Sequence, residues 1–90
     1  MKLQKKKEII ISSLQLPKDI VYHAAVVTIL GNRDVHIENY RGILEYSNKT
    51  IVIQAKDCKI CICGSNLLIQ YYTNEDMKVS GKISGIQYIY

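Results

Sequence analysis

From Lys18 onward the apolar residues come in short alternating runs, each closed by a Gly, Asn or Ser turn signal, and this spacing constrains the fold more than any other feature. Ile20 to Leu30 ends at Gly31-Asn32. Val35 and Ile37 alternate with His36 and Glu38 and close at Asn39. Ile43 to Tyr46 ends at Ser47-Asn48, and Ile51-Val52-Ile53 follows. Ile60 and Ile62 alternate with Cys61 and Cys63 and stop at Gly64. Leu67 to Tyr72, then Val79 before Gly81, and finally Ile83, Ile86, Tyr88 and Tyr90 complete the series. Strands at intervals of roughly 8–12 residues signal a sandwich, barrel or stacked meander. Links this short leave no room for crossover helices, so neighbouring strands should be antiparallel. The expected fold is mainly β, a small antiparallel sandwich or stacked-meander sheet with a short N-terminal helix.

The residue types agree with that reading. Ile dominates the aliphatic residues, and the chain has 7 Tyr but no Phe or Trp. Branching at Cβ restricts χ1 and suits a pleated surface better than a helix. With 48% hydrophobic residues in 90 positions, the chain has enough apolar content for one compact domain and too much for disorder. Ile60-Cys61-Ile62-Cys63-Gly64 looks like Met77-Lys78-Val79-Ser80-Gly81, but the irregular period argues against a solenoid.

Residues 1–16 read differently. Leu3, Ile10 and Leu14 fall near one helical face, and Pro17 closes the segment because the residue before a proline is pushed out of the α region. This basic amphipathic arm precedes a β-rich domain over 17–90. The net charge of +4 is concentrated here, in Lys2, Lys5, Lys6 and Lys7. Lys5, Lys6 and Lys7 are candidates for contact with a partner or with an anionic membrane surface, where each basic residue contributes about 1 kcal/mol. The same run also serves simply as a solubilising face. No apolar run approaches the roughly 20 residues that cross a bilayer or the 7–15 of a signal-peptide core. A soluble, cytoplasmic protein is expected.

Three cysteines, Cys58, Cys61 and Cys63, lie too close together and in the wrong number for a disulfide framework. Cys58 and Cys61 have the spacing of one zinc knuckle, but a structural site needs four ligands, and His23 and His36 are not at ligand spacing. In a strand, Cys61 and Cys63 share a face and Cys58 points elsewhere. Small apolar packing residues are the simpler reading, and a cysteine-centred metal- or ligand-binding regulator is the alternative. No cofactor is expected. His36, between Val35 and Ile37, should face the polar side. No nucleophile elbow is present, and the carboxylates are scattered over strand ends and turns, so an enzyme is not expected. The tyrosines are not interleaved with basic residues, and Arg33 and Arg41 are the only arginines, which argues against nucleic acid.

Two stretches carry a family resemblance: Leu16-Pro17-Lys18-Asp19-Ile20-Val21, and Gly31-Asn32-Arg33-Asp34-Val35-His36-Ile37-Glu38-Asn39-Tyr40-Arg41-Gly42-Ile43-Leu44-Glu45-Tyr46. With the glycine-bearing segments at Gly64 and Gly81, they resemble the YqfC branch of the YabP/YqfC sporulation proteins of endospore-forming Firmicutes. The resemblance implies expression in the mother-cell cytoplasm, a place at the forespore membrane, and a membrane-bound sporulation protein as partner. It supplies no catalytic residues. Asn39-Tyr40-Arg41-Gly42 reads as a turn between two strands, with Arg41 within reach of Glu38 or Glu45. Tyr and Arg dominate interface hot spots, so Tyr40, Arg41 and Tyr46 are the candidate binding residues. The expected mode of action is structural or adaptor-like assembly, with a protein partner or as a homo-oligomer through open strand edges.

Overall fold

The computed structural model describes residues 24–90. The arm predicted over 1–16, with Lys5, Lys6 and Lys7, lies outside the described residues. Six strands follow in order: β1 (Val26–Leu30), β2 (Asp34–Glu38), β3 (Gly42–Tyr46), β4 (Thr50–Gln54), β5 (Lys59–Tyr72) and β6 (Asp76–Ile89). They form one antiparallel sheet in the order β1-β2-β6-β5-β4-β3. The fold is mainly β, as the short alternating runs predict.

Sequence and structure part at two glycines. Gly64 and Gly81 read as strand ends, yet β5 and β6 run through them for 14 residues each. The glycines mark bends where one backbone presses on another. A Cβ on Gly64 would lie 2.1 Å from the Lys82 carbonyl oxygen. Gly81 has φ 141°, and its Cβ would lie 2.7 Å from the Asn66 carbonyl oxygen. The ladder between β5 and β6 shifts register at Cys63/Gly64, at Ser65/Leu68 and at Ile69/Tyr71. Such bulges bend a strand and raise its twist without ending it.

The bends fold the sheet over on itself in two halves. One half holds β1, β2, the start of β6 and the end of β5. The other holds β3, β4, the start of β5 and the end of β6. The core lies between them, joining Val35, Ile37, Met77 and Val79 to Ile51, Ile53 and Ile62.

The two halves are related by a pseudo-twofold arrangement. Val35 and Ile37 pair with Val79 and Met77 just as Ile51 and Ile53 pair with Ile62 and Ile60. These eight are the largest fully buried side chains among the described residues. The hairpin turns dock equivalently as well. Gly81 N–H donates to the Arg33 carbonyl (3.1 Å) and Gly64 N–H to the Lys49 carbonyl (3.0 Å). Ile83 N–H donates to Asn32 (2.7 Å) and Leu67 N–H to Asn48 (2.9 Å). The chain repeats accordingly: Asn32-Arg33-Asp34-Val35-His36-Ile37-Glu38 aligns without gaps on Asn48-Lys49-Thr50-Ile51-Val52-Ile53-Gln54, and Ile69-Gln70-Tyr71 on Ile86-Gln87-Tyr88. The likeness of Ile60–Gly64 to Met77–Gly81 is one part of this larger repeat.

Candidate functional site

Asn39 to Arg41 carries the chain from one half to the other. This segment reads as a turn between neighbouring strands, but β2 and β3 do not pair; each belongs to its own half. Asn39 adopts φ 65°, a left-handed conformation that asparagine tolerates. The link is pinned on both sides: Asn39 N–H donates to the Glu75 carbonyl at 2.8 Å and Arg41 N–H to the Gln54 carbonyl at 2.7 Å. Tyr40 between them is buried, and its hydroxyl donates to the Thr73 carbonyl in the β5–β6 turn. That turn is built locally: Thr73 N–H donates to the Asp76 carbonyl (2.7 Å), and Glu75 N–H to Thr73 Oγ1 (3.2 Å).

These contacts leave a cleft of about 300 Å³ lined by Tyr40, Arg41, Gly42, Ile43, Tyr72, Thr73 and Asn74. It opens beside the first residues of β3, which is an edge of the sheet. Tyr72 is 64% exposed and Arg41 is exposed too. Arg41 makes no ion pair with Glu38 or Glu45 among the described residues; the Glu38 carboxylate turns instead to His36. Tyr72 escapes the sequence reading, although two consecutive tyrosines before a Thr-Asn turn were its available signal.

Burial, reinforced by Tyr72 and Asp76, raises the Tyr40 phenol above its ordinary value. A phenol raised in this way holds its proton more firmly in the folded state. Its contribution to stability is complete below the unfolded pKa of about 10 and is lost as pH rises through the raised folded value. Tyr40→Phe should therefore cost about 1 kcal/mol at neutral pH through the lost hydrogen bond. It should also flatten the fall in stability above pH about 10, read from urea melts at pH 8 and 11. A variant that loses stability at high pH as steeply as the parent would contradict this role.

Tyr46 stands at the other end of β3, roughly 20 Å of strand away from Tyr40, so the three candidate binding residues do not converge. Its ring is 50% exposed, and its hydroxyl accepts the Ile69 N–H at 3.1 Å, tying the edge of one half to that of the other. The Tyr40 hydroxyl thus ties the segment before β3 to the β5–β6 turn, and the Tyr46 hydroxyl ties the end of β3 to the second part of β5.

On the outer face of the first half, His36 stands on the polar side of β2. Its Nε2 lies 2.5 Å from Asp76 Oδ1 and its Nδ1 3.5 Å from Glu38 Oε2, with the Tyr71 ring centroid at 6.5 Å. Cys61 and Cys63 share the outer face of the other half with their sulfurs 3.5 Å apart, whereas Cys58 sits in the β4–β5 turn. Burial, then the neighbouring Cys63 thiol, pushes the Cys61 thiol up, away from the reactive thiolate. Among the described residues no three His, Cys, Asp or Glu side chains are grouped to hold a metal ion. Nor is any helix among them long and apolar enough to cross a membrane.

Comparison with known proteins places this geometry in context. The uncharacterized protein YqfC of Bacillus subtilis (strain 168) is similar to the chain, 27% identical over 77 residues that cover 86% of this chain and 83% of that protein. No solved structure matches. The YabP family profile matches residues 23–90, which takes in all six strands, both bend glycines and the whole cleft. The chain belongs to the YabP family.

Proposed function

We propose that this chain is a sporulation protein that acts by binding rather than by catalysis, as a structural or adaptor module held to a protein partner at the developing spore. The observation that carries the reading is the cleft at the start of β3. There an exposed guanidinium with no carboxylate partner among the described residues stands beside the exposed Tyr72 ring and the fixed Tyr40 ring. Arg and Tyr are the side chains on which interface energy concentrates. The adjoining strand edge offers backbone donors and acceptors to an extended segment, and the cleft offers a pocket to one of its side chains. An acidic, partly apolar segment fits this surface. Family membership supports the sporulation setting, with the mother-cell cytoplasm as compartment and a membrane-bound sporulation protein as partner. Lys5, Lys6 and Lys7 would add a weak, salt-sensitive membrane contact to it.

The test is a double variant, Arg41→Glu with Tyr72→Ala. Both side chains are exposed, so stability should stay within about 0.5 kcal/mol per site. Loss of two hot-spot residues should weaken partner binding at least about 30-fold, the equivalent of about 2 kcal/mol. Spore counts should fall when the variant is the only copy present. Full spore formation by the folded double variant would sink the proposal.

A further inference from the structure

A second cleft, of about 440 Å³, lies where the β1–β2 turn docks on the bend of the long strands. It is lined by Asn32, Arg33, Asn66, Gly81 and Lys82. The hydrogen bonds from Gly81 and Ile83 to the Arg33 and Asn32 carbonyls fix its floor. The close approach of Gly81 to the Asn66 carbonyl fixes one wall, and Asn66 is itself held at φ 54°. The cleft is therefore a rigid feature of the crossing.

Its chemistry is one-sided. Two cations and two side-chain amides line it, and no carboxylate does. Among the described residues neither Arg33 nor Lys82 has an ion-pair partner. The pseudo-twofold relation supplies an internal comparison. At the equivalent position in the other half Asn48 matches Asn32, Lys49 replaces Arg33 and Ser65 stands for Lys82. A guanidinium thus stands at one of the two crossings and not at the other.

We propose that the Arg33–Lys82 cleft binds a phosphate group. A guanidinium presents paired donors to two phosphate oxygens, an ammonium adds a point charge, and the amides supply further donors for a dianion. Two cations suit a phosphate better than a monoanionic carboxylate. The volume exceeds what an inorganic ion fills and lies within the range of small-ligand sites. The group belongs either to a soluble phosphorylated molecule or to an anionic lipid headgroup. The site is separate from the Arg41 cleft and does not depend on the function proposed for it.

The test follows the backbone amide signals of Asn66 and Gly81 in the full chain at low salt by NMR. Inorganic pyrophosphate is titrated in one arm, and vesicles of phosphatidic acid in phosphatidylcholine, with phosphatidylcholine vesicles as blank, in the other. Saturable shifts with pyrophosphate identify a soluble ligand; loss of these signals with phosphatidic acid alone identifies a headgroup. In either arm Arg33→Ala with Lys82→Ala should raise the dissociation constant at least tenfold, while Lys49→Ala leaves it within twofold. Unchanged signals from Ile37 and Ile53 show that each variant is folded. The proposal is overturned if neither probe perturbs Asn66 and Gly81, or if the double variant responds like the parent.

Discussion

Gly64→Ala is expected to destabilise the fold by about 3–4 kcal/mol, among the largest effects available to a single methyl group. The added Cβ would stand 2.1 Å from the carbonyl oxygen of Lys82, where no flexible side chain can give way. The backbone of β5 or β6 would have to move, and with it the ladder on which both hairpins dock. For a domain of this size, that cost lowers the thermal midpoint by at least about 12 °C. Gly85→Ala is the matched control: the same methyl group on the same long hairpin meets nothing within 4 Å. It should change stability by no more than about 0.5 kcal/mol. Circular-dichroism melts of the two variants decide the matter. Equal midpoints would mean that the long strands do not cross tightly at Gly64.

Removing the core isoleucine Ile53 is expected to cost about 2–5 kcal/mol when it is replaced by alanine. Ile53 is wholly buried and faces Ile60 across the β4–β5 ladder. Its pseudo-twofold equivalent, Ile37, faces Met77 in the same way, so Ile37→Ala should cost a similar amount. Leu44→Ala, on the β3 edge and 53% exposed, should fall within about 0.5 kcal/mol of the parent. Chemical denaturation of the three variants tests both the depth of the core and its symmetry. A large loss from one isoleucine and none from the other would contradict a core shared between two equivalent halves.

Much of this was legible in the chain. Alternation places Val35 and Ile37 on a buried face, because a strand repeats every two residues, whereas the apolar triplet Ile51-Val52-Ile53 marks a strand without choosing its buried side. The turns at Gly31-Asn32 and Ser47-Asn48 are where local chemistry puts them; the Ser47 hydroxyl accepts the Lys49 and Thr50 N–H groups at 3.2 and 3.0 Å. Gly64 and Gly81 misled, because a glycine signals equally a strand end and a place where backbones meet. Only the long-range contact with Lys82 or Asn66 distinguishes the two, and no local window contains it. Pairing order was hidden for the same reason: β2 reaches β6 across the intervening strands, and nothing near Asn39 announces that β3 leaves for the other half.

The candidate site was partly legible. Residue type alone pointed to Tyr40, Arg41 and Tyr46, and the cleft gathers the first two with Tyr72, a residue that periodicity assigns merely to a strand end. Tyr46 shares their chemistry but stands at the far end of the strand, with its hydroxyl engaged by Ile69 N–H. Residue type proposes binding surfaces; topology decides which members meet.

The most direct test of assembly at the spore is the position of a fluorescently tagged copy in sporulating cells that lack their own family member. The parent chain should gather around the forespore, and the folded Arg41→Glu, Tyr72→Ala variant should spread through the mother cell as spore counts fall. A variant that gathers at the forespore as the parent does, with sporulation intact, would show that this cleft does not hold the partner.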